Sequence, residues 1–199
     1  MYTKTALVSA LAGLAAAAPA PRSDNSNVFE AISLHSGSPV QGSTINANGN
    51  HFYINKAAST YCPSGVEGLD CSQYGTQTIF AFNPSSSGLA LYAAVPGGQQ
   101  IYVEATGALG YTIPHSGAIP NDAYVSPFEY IVQTSTGTVG KLTFEGKDFN
   151  ACPTGETNGE VDIYQIFASA VSSDTQTGCI DIAIGTATDV AAPTAYEYS

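Results

Sequence analysis

Polar and apolar residues alternate in short runs along most of this chain. In residues 95–112 a Pro-Gly-Gly turn precedes the alternating run 100–104, and a Thr-Gly turn then leads into a further short run. Alternation with a period of two is typical of half-buried strands. About twelve such runs occur, each bounded by Gly, Pro, Asn or Ser, and no segment keeps a helical period for long. The pattern predicts an all-β protein with strands at 28–34, 44–47, 51–55, 78–82, 89–95, 99–105, 109–113, 128–133, 141–145, 149–152, 161–168 and 179–185.

The number of strands favours a closed architecture, because closure leaves few exposed strand edges. Grouped in fours, the strands form three units that begin near residues 28, 89 and 141. The second and third units begin with similar Leu-x-hydrophobic tripeptides, LAL at 89–91 and LTF at 142–144. This faint repeat favours a β-trefoil as the fold of a single compact domain, and a β-sandwich is the alternative.

The chain of 199 residues has room for one domain with a substantial core. Residues 1–17 are predicted to be a secretory signal peptide, since Lys4 precedes an apolar run too short to span a bilayer and a small-residue stretch offers a cleavage site. A flexible, polar lead at 18–27 comes next. The all-β domain is expected at 28–190 and a polar C-terminal tail at 191–199. We therefore expect a secreted protein that does not bind membranes.

The four cysteines fit an oxidising extracellular compartment. They are even in number and widely spaced, which predicts two disulfides among Cys62, Cys71, Cys152 and Cys179. Three connectivities are possible, and sequence proximity favours Cys62–Cys71 with Cys152–Cys179. A zinc site is disfavoured, because no cysteine pair has Cys-x-x-Cys spacing and no histidine stands near a cysteine.

Charge restricts the possible functions further. With 16 Asp and Glu against 5 Lys and Arg, the formal net charge is −11, and nucleic-acid binding needs clustered cations instead. The chain has no Gly-x-Ser-x-Gly motif, the nucleophile elbow that a serine and histidine would need for hydrolysis. Its acidic residues also lack the spacing of a calcium-binding loop. The acidic residues lie at alternating strand positions, as expected on the solvent-exposed face of a sheet. No two of them stand out as the pair of carboxyl groups that a glycosidase needs. We expect no nucleic-acid partner, no enzyme activity, no catalytic residue, no metal and no cofactor.

Tyrosine is the residue type with the clearest binding potential, since exposed aromatic rings stack on sugars. Most strand tyrosines pack in the core or across strands. Tyr111 is the best candidate for an exposed one, because it precedes the turn that contains His115. The sequence thus predicts a carbohydrate-binding site at Tyr111 and His115. The serines that follow His35 and His115 predict turns closed by side-chain hydrogen bonds.

Several motifs resemble the fungal secreted cell-wall proteins of the phialide-development (phiA-like) family, which is linked to IgE-binding, allergen-like proteins. The similarity runs in order from about residue 28 to residue 187, and PGGQQIYV with GALGYT is its most specific part. The motifs are FEAISLHSGSP at 29–39, INANG at 45–49, YCP at 61–63, the whole of 96–112, PHS at 114–116, ACP at 151–153 and YQIFA at 164–168.

The resemblance implies an extracellular, wall-associated fungal protein, linked to conidiophore and wall development and to IgE binding, with no known enzymatic step. Two hypotheses follow. The first is a structural or surface protein that is held in the wall non-covalently or is shed. The second is a carbohydrate-binding module that recognises wall glucan or chitin. The expected partners are accordingly cell-wall polysaccharide or wall proteins.

Overall fold

Strands dominate the part of the chain that the structure, a computed structural model, describes: residues 27–132, 138–171, 176–188 and 194–199. The all-β prediction is confirmed. The predicted signal peptide and the lead up to residue 26 lie outside the described residues. The strands are β1 (Val28–Leu34), β2 (Asn46–Asn48), β3 (His51–Ile54), β4 (Thr60–Tyr61), β5 (Phe80–Asn83), β6 (Gly88–Leu91), β7 (Gln99–Val103), β8 (Leu109–Tyr111), β9 (Phe128–Ile131), β10 (Gly140–Phe144), β11 (Phe149–Asn158), β12 (Val161–Ala168), β13 (Ile180–Ala187) and β14 (Glu197–Tyr198).

Hydrogen-bonded pairing links most of these strands into one closed circuit. Starting from β1, the neighbours are β5, β6, β7, β8, β3, β12, β11 and β13, and β13 pairs again with β1. β10 pairs with β13 and with β9, β2 adds to β3, and β4 and β14 form a separate antiparallel ladder. Each strand of the circuit has two neighbours, which leaves few unpaired edges.

The pairing does not repeat in three equal units. In the first and third predicted units the first and last strands pair and enclose a hairpin, as in β1–β5 with β2–β3 and in β10–β13 with β11–β12. In the second unit β6, β7 and β8 form a meander, and β9 pairs with β10 of the third unit. The β-trefoil is therefore not confirmed.

Aromatic side chains from four strands form the centre of the core. The Phe80 ring centroid lies 5.6 Å from that of Phe29 and 5.3 Å from that of Phe52, and Phe52 in turn lies 5.3 Å from Tyr111. Aromatic pairs of this kind contribute about 0.5–1.5 kcal/mol each beyond their burial. This row of rings joins β1, β5, β3 and β8.

Both predicted disulfides are present, Cys62–Cys71 and Cys152–Cys179. The first closes a largely exposed loop, and the second joins β11 to the residue before β13. Closing loops of these lengths stabilises the fold by about 2.7 and 3.6 kcal/mol if the effect is mainly on chain entropy.

Residues 194–199 lie within the folded domain, whereas the sequence predicts a polar tail from residue 191. Glu197–Tyr198 form β14 against β4, and the Tyr198 side chain has no exposed surface. Its hydroxyl donates to the Gln77 carbonyl at 2.7 Å and accepts from the Ile79 N–H at 3.1 Å. A two-residue strand held by one buried tyrosine has no periodicity that sequence analysis could detect.

Candidate functional site

The Pro-Gly-Gly motif forms a tight turn that leads into β7. The Gly98 N–H donates to the Val95 carbonyl at 3.0 Å, and Gly97 has a φ of +90°. Proline at the second position and a positive φ at the third are the features of a type II turn. Glycine suits the third position, because it adopts this backbone conformation without steric cost.

A second turn of the same kind follows β8. The Ser116 N–H donates to the Ile113 carbonyl at 3.2 Å, Pro114 occupies the second position, and the third is His115 with a φ of +59°. Holding a non-glycine residue in this conformation costs roughly 1–2 kcal/mol. Glycine would form this turn without strain, and residues strained in this way cluster at functional sites.

The two turns border one groove. Because β7 and β8 are antiparallel, the turn before β7 and the turn after β8 lie at the same end of the pair. The space between them is a cavity of about 320 Å³. We call this cavity the twin-turn groove; its lining consists of Gly97, Gly98, Gln100, Thr112, His115, Ser116 and Gly117.

Hydrogen bonds fix the floor of the twin-turn groove. The Gln100 N–H donates to Thr112 Oγ1 at 2.9 Å, and the Thr112 N–H donates to the Gln100 carbonyl at 2.9 Å. Ser116 Oγ accepts from the Ala118 N–H at 3.2 Å, which closes the turn as its sequence predicts. The groove is therefore formed before any ligand binds.

The buried side chain of Gln99 hydrogen-bonds to the backbone of Thr112, which forms part of the floor. The Gln99 side chain is 1% exposed, and Nε2 donates to the Thr112 carbonyl at 3.1 Å and to the Tyr198 carbonyl at 2.8 Å. Its Oε1 accepts from the Tyr198 N–H at 2.8 Å. Since all these groups are buried, the amide ties β14 to the groove through bonds that water cannot replace.

The lining of the twin-turn groove is polar but almost free of charge. Its described residues present an amide, hydroxyls, an imidazole and backbone groups, and His115 is the one titratable side chain among them. None of these described lining residues carries a carboxylate. The exposed side chain of Ile113 adds apolar surface beside the groove. Groups that both donate and accept hydrogen bonds, next to an apolar patch, suit a neutral polyhydroxylated ligand.

A second cavity, of about 210 Å³, continues from the first beyond the Gly97–Gly98 turn. Gly97, Gly98 and Gln100 line both cavities. We call the second cavity the Asn83 groove, after the polar residue at the end of β5 that lines it. Ala81, Ser86 and Ala90 lie along it as well.

Tyr111 does not belong to the surface of this site. Its side chain has no exposed area and packs edge-on against Phe52 in the core, so it is not available to stack on a sugar. Burial raises the pKa of Tyr111 to about 12. The expectation that Tyr111 is an exposed platform is wrong, because all three residues of β8 are buried and the alternation of the sequence stops there.

Other tyrosines are the exposed ones. Tyr61 in β4 is 55% exposed and Tyr124 is 43% exposed, whereas Tyr102 and Tyr164 are buried. The half-buried Tyr53 lies beneath Lys56, whose Nζ is 4.6 Å from the ring centroid. None of these tyrosines lines the twin-turn groove.

The remaining histidines make contacts within the fold. Nδ1 of His35 contacts the Asp181 carbonyl, and Nε2 of His51 lies 2.9 Å from Oε1 of Glu104. Thr106 Oγ1 donates to the other oxygen of Glu104 at 3.2 Å. These ring contacts are with a carbonyl and a carboxylate, not with a serine hydroxyl.

Of the lining residues, the sequence patterns point to His115 but not to Gln100 and Thr112, which form the floor. The sequence signal for the groove is the pair of Pro-x turns at 96–97 and 114–115, which the antiparallel pairing of β7 and β8 brings to the same end. Within the described ranges, no group of three or more His, Cys, Asp and Glu is placed to hold a metal ion. No helix in that part of the chain is long and apolar enough to cross a membrane.

Comparison with known proteins gives two matches and one negative result. The profile of the family described as PhiA-like secreted proteins matches residues 29–199. A relative described as an uncharacterized secreted protein, from Arthroderma benhamiae, is 33% identical over 160 residues, which cover 78% of this chain and 75% of the relative. No solved structure matches.

Proposed function

The chain belongs to the PhiA-like secreted protein family, and from this membership we propose that it is a surface protein retained in the fungal cell wall. Like its fungal relative, it is a secreted, extracellular protein. Two disulfides and a closed pairing circuit support this proposal, because both resist unfolding in an oxidising space outside the cell.

The twin-turn groove is the observation that carries the second part of the proposal, retention by carbohydrate. The groove is preformed, neutral and rich in hydrogen-bonding groups, and it holds a histidine where the backbone favours glycine. With a net charge of −11, the whole chain repels anionic polymers. We therefore favour a neutral wall polysaccharide, glucan or chitin, over a charged ligand.

We propose that the protein has no catalytic step. A glycosidase needs two carboxyl groups on either side of the bond it cleaves, and the described lining of the groove contains none. The IgE binding and the part in conidiophore and wall development that the resemblance implies stay predictions.

Co-sedimentation of the purified mature protein with insoluble β-glucan and with chitin, at low and high salt, tests retention. The informative variant is His115→Gly, which removes the imidazole and relieves the backbone at the same time. We expect saturable binding that survives high salt, since the groove is neutral, and we expect the variant to lose most of it. The melting temperature of the variant should stay the same or rise slightly.

The matched control is Glu145→Gly, in the turn between β10 and β11. Glu145 also has a positive φ, of +49°, but it lines neither groove. This control should bind like the wild type. Wild-type binding by His115→Gly would refute the site, and failure of the wild type to bind either polymer would leave wall proteins as the partners to be sought.

A further inference from the structure

The two grooves share part of their floor. Gln100 lies at the junction, and the Gly97–Gly98 turn that separates them carries no side chain that could close the passage. A Cβ built on Gly97 or Gly98 would meet no atom within 4 Å, so the space above the turn is open. A ligand longer than one sugar ring can therefore extend from one groove into the other.

The strand register gives the direction of this passage. Ala81 of β5 is paired with Ala90 of β6, Ala90 is paired with Gln100 of β7, and Gln100 is bonded to Thr112. The passage thus crosses the strands rather than following them. With a spacing of about 4.8 Å between neighbouring strands, it extends for roughly 14 Å from Ala81 to Thr112.

Polar side chains stand at both ends of this length. His115 and Ser116 lie at one end, Asn83 and Ser86 lie at the other, and the Gln100 amide lies between them. Asn83 Oδ1 accepts from the Ser85 N–H at 3.0 Å, which fixes its side chain and leaves the amide nitrogen to donate elsewhere. Hydrogen-bonding groups are thus spaced along the passage instead of being gathered around one sugar.

We propose that the twin-turn groove and the Asn83 groove form a single channel that binds the interior of a linear, neutral polysaccharide chain. This inference rests on the proposed function and adds that the ligand is a chain lying across β5, β6 and β7. Both grooves are open to solvent and neither is an enclosed pocket, so the channel accepts internal segments and does not need a chain end.

Calorimetry with soluble oligosaccharides of the glucan and chitin series tests the inference. We expect the hexasaccharide of the preferred series to bind at least about tenfold more tightly than the disaccharide, because only the longer ligand reaches both grooves. His115→Gly should weaken the binding of both oligosaccharides. Asn83→Ala should weaken the binding of the hexasaccharide and leave the affinity for the disaccharide unchanged.

A blocking variant provides the sharper test. Ala90→Gln places a long side chain in the middle of the channel, and the hexasaccharide should then bind no more tightly than the disaccharide. Its matched control is Ala183→Gln, a half-buried alanine on β13 that lines neither groove, with no effect expected. Thermal unfolding of each variant shows whether it is folded.

The outcomes separate the two proposals. If the protein sediments with a polysaccharide but binds both oligosaccharides equally, or if Ala90→Gln keeps the wild-type preference, the channel is refuted and the surface-protein proposal stands. If neither insoluble polymers nor oligosaccharides bind, carbohydrate retention and the channel are both refuted.

Discussion

Tyr111 belongs to the hydrophobic core and does not line the twin-turn groove. Its ring packs edge-on against Phe52, and its backbone N–H donates to the Asn50 carbonyl at 3.0 Å. His115, four residues later, is exposed on a strained turn. The two residues are neighbours in the sequence, but one contributes to stability and the other is available to a ligand.

Replacement of Tyr111 should therefore affect folding before binding. Tyr111→Ala leaves a large cavity in the aromatic row, and we expect the free energy of unfolding to fall by about 3–5 kcal/mol. Tyr111→Phe keeps the ring, so its effect should stay below about 1.5 kcal/mol. Urea denaturation measures both, and an alanine variant as stable as the wild type would contradict this role.

At the scale of elements, one amide joins three parts of the chain. Gln99 at the start of β7 bonds to Thr112 after β8 and to Tyr198 in β14. The next residue, Gln100, is exposed and points to the groove. Strand alternation alone accounts for this contrast, because successive side chains lie on opposite faces.

Gln99→Leu should test this junction. The substitution leaves two carbonyls and one N–H buried without partners, and each such group costs about 1–3 kcal/mol. We expect a loss of at least about 3 kcal/mol of unfolding free energy, together with faster hydrogen exchange of the Tyr198 amide. Gln100→Leu, on the outer face, is the control and should change stability little. Equal effects of the two variants would show that the Gln99 amide is not a junction.

At the scale of the whole molecule, buried tyrosines couple stability to alkaline pH. Burial raises the pKa values of Tyr111 and Tyr198 to about 12. In the unfolded chain these phenols ionise at about pH 10. Because the folded-state pKa is raised, the contribution of each tyrosine is fully present below about pH 10 and is lost as the pH rises through about 12.

Denaturation curves measured between about pH 8 and pH 11.5 should show this loss. We expect the free energy of unfolding to fall above about pH 10 by up to roughly 1.4 kcal/mol per pH unit for each buried tyrosine. The double variant Tyr111→Phe/Tyr198→Phe, although less stable at neutral pH, should lose the part of the slope that belongs to these two phenols. An unchanged slope in the double variant would show that other groups cause it.

Local patterns in the sequence were sufficient for most of the strands, though not for β4 and β14, and for the secreted class, the favoured disulfide pairing and the turn at His115. Each depends on residues close together in the chain: alternation with period two, Pro and Gly at corners, and cysteines 9 and 27 residues apart. The family was likewise evident from short motifs such as PGGQQIYV.

Only the tertiary structure decided which side chains meet. It buried Tyr111, the tyrosine that the following turn made the best candidate for exposure, because β8 is packed between β7 and β3 and against the Phe52 ring. It placed Tyr198 inside the domain through partners 99 and 121 residues away. It also brought the two Pro-x turns to the same end of one strand pair. Long-range pairing and packing determine such contacts, and they leave no periodic trace in the sequence.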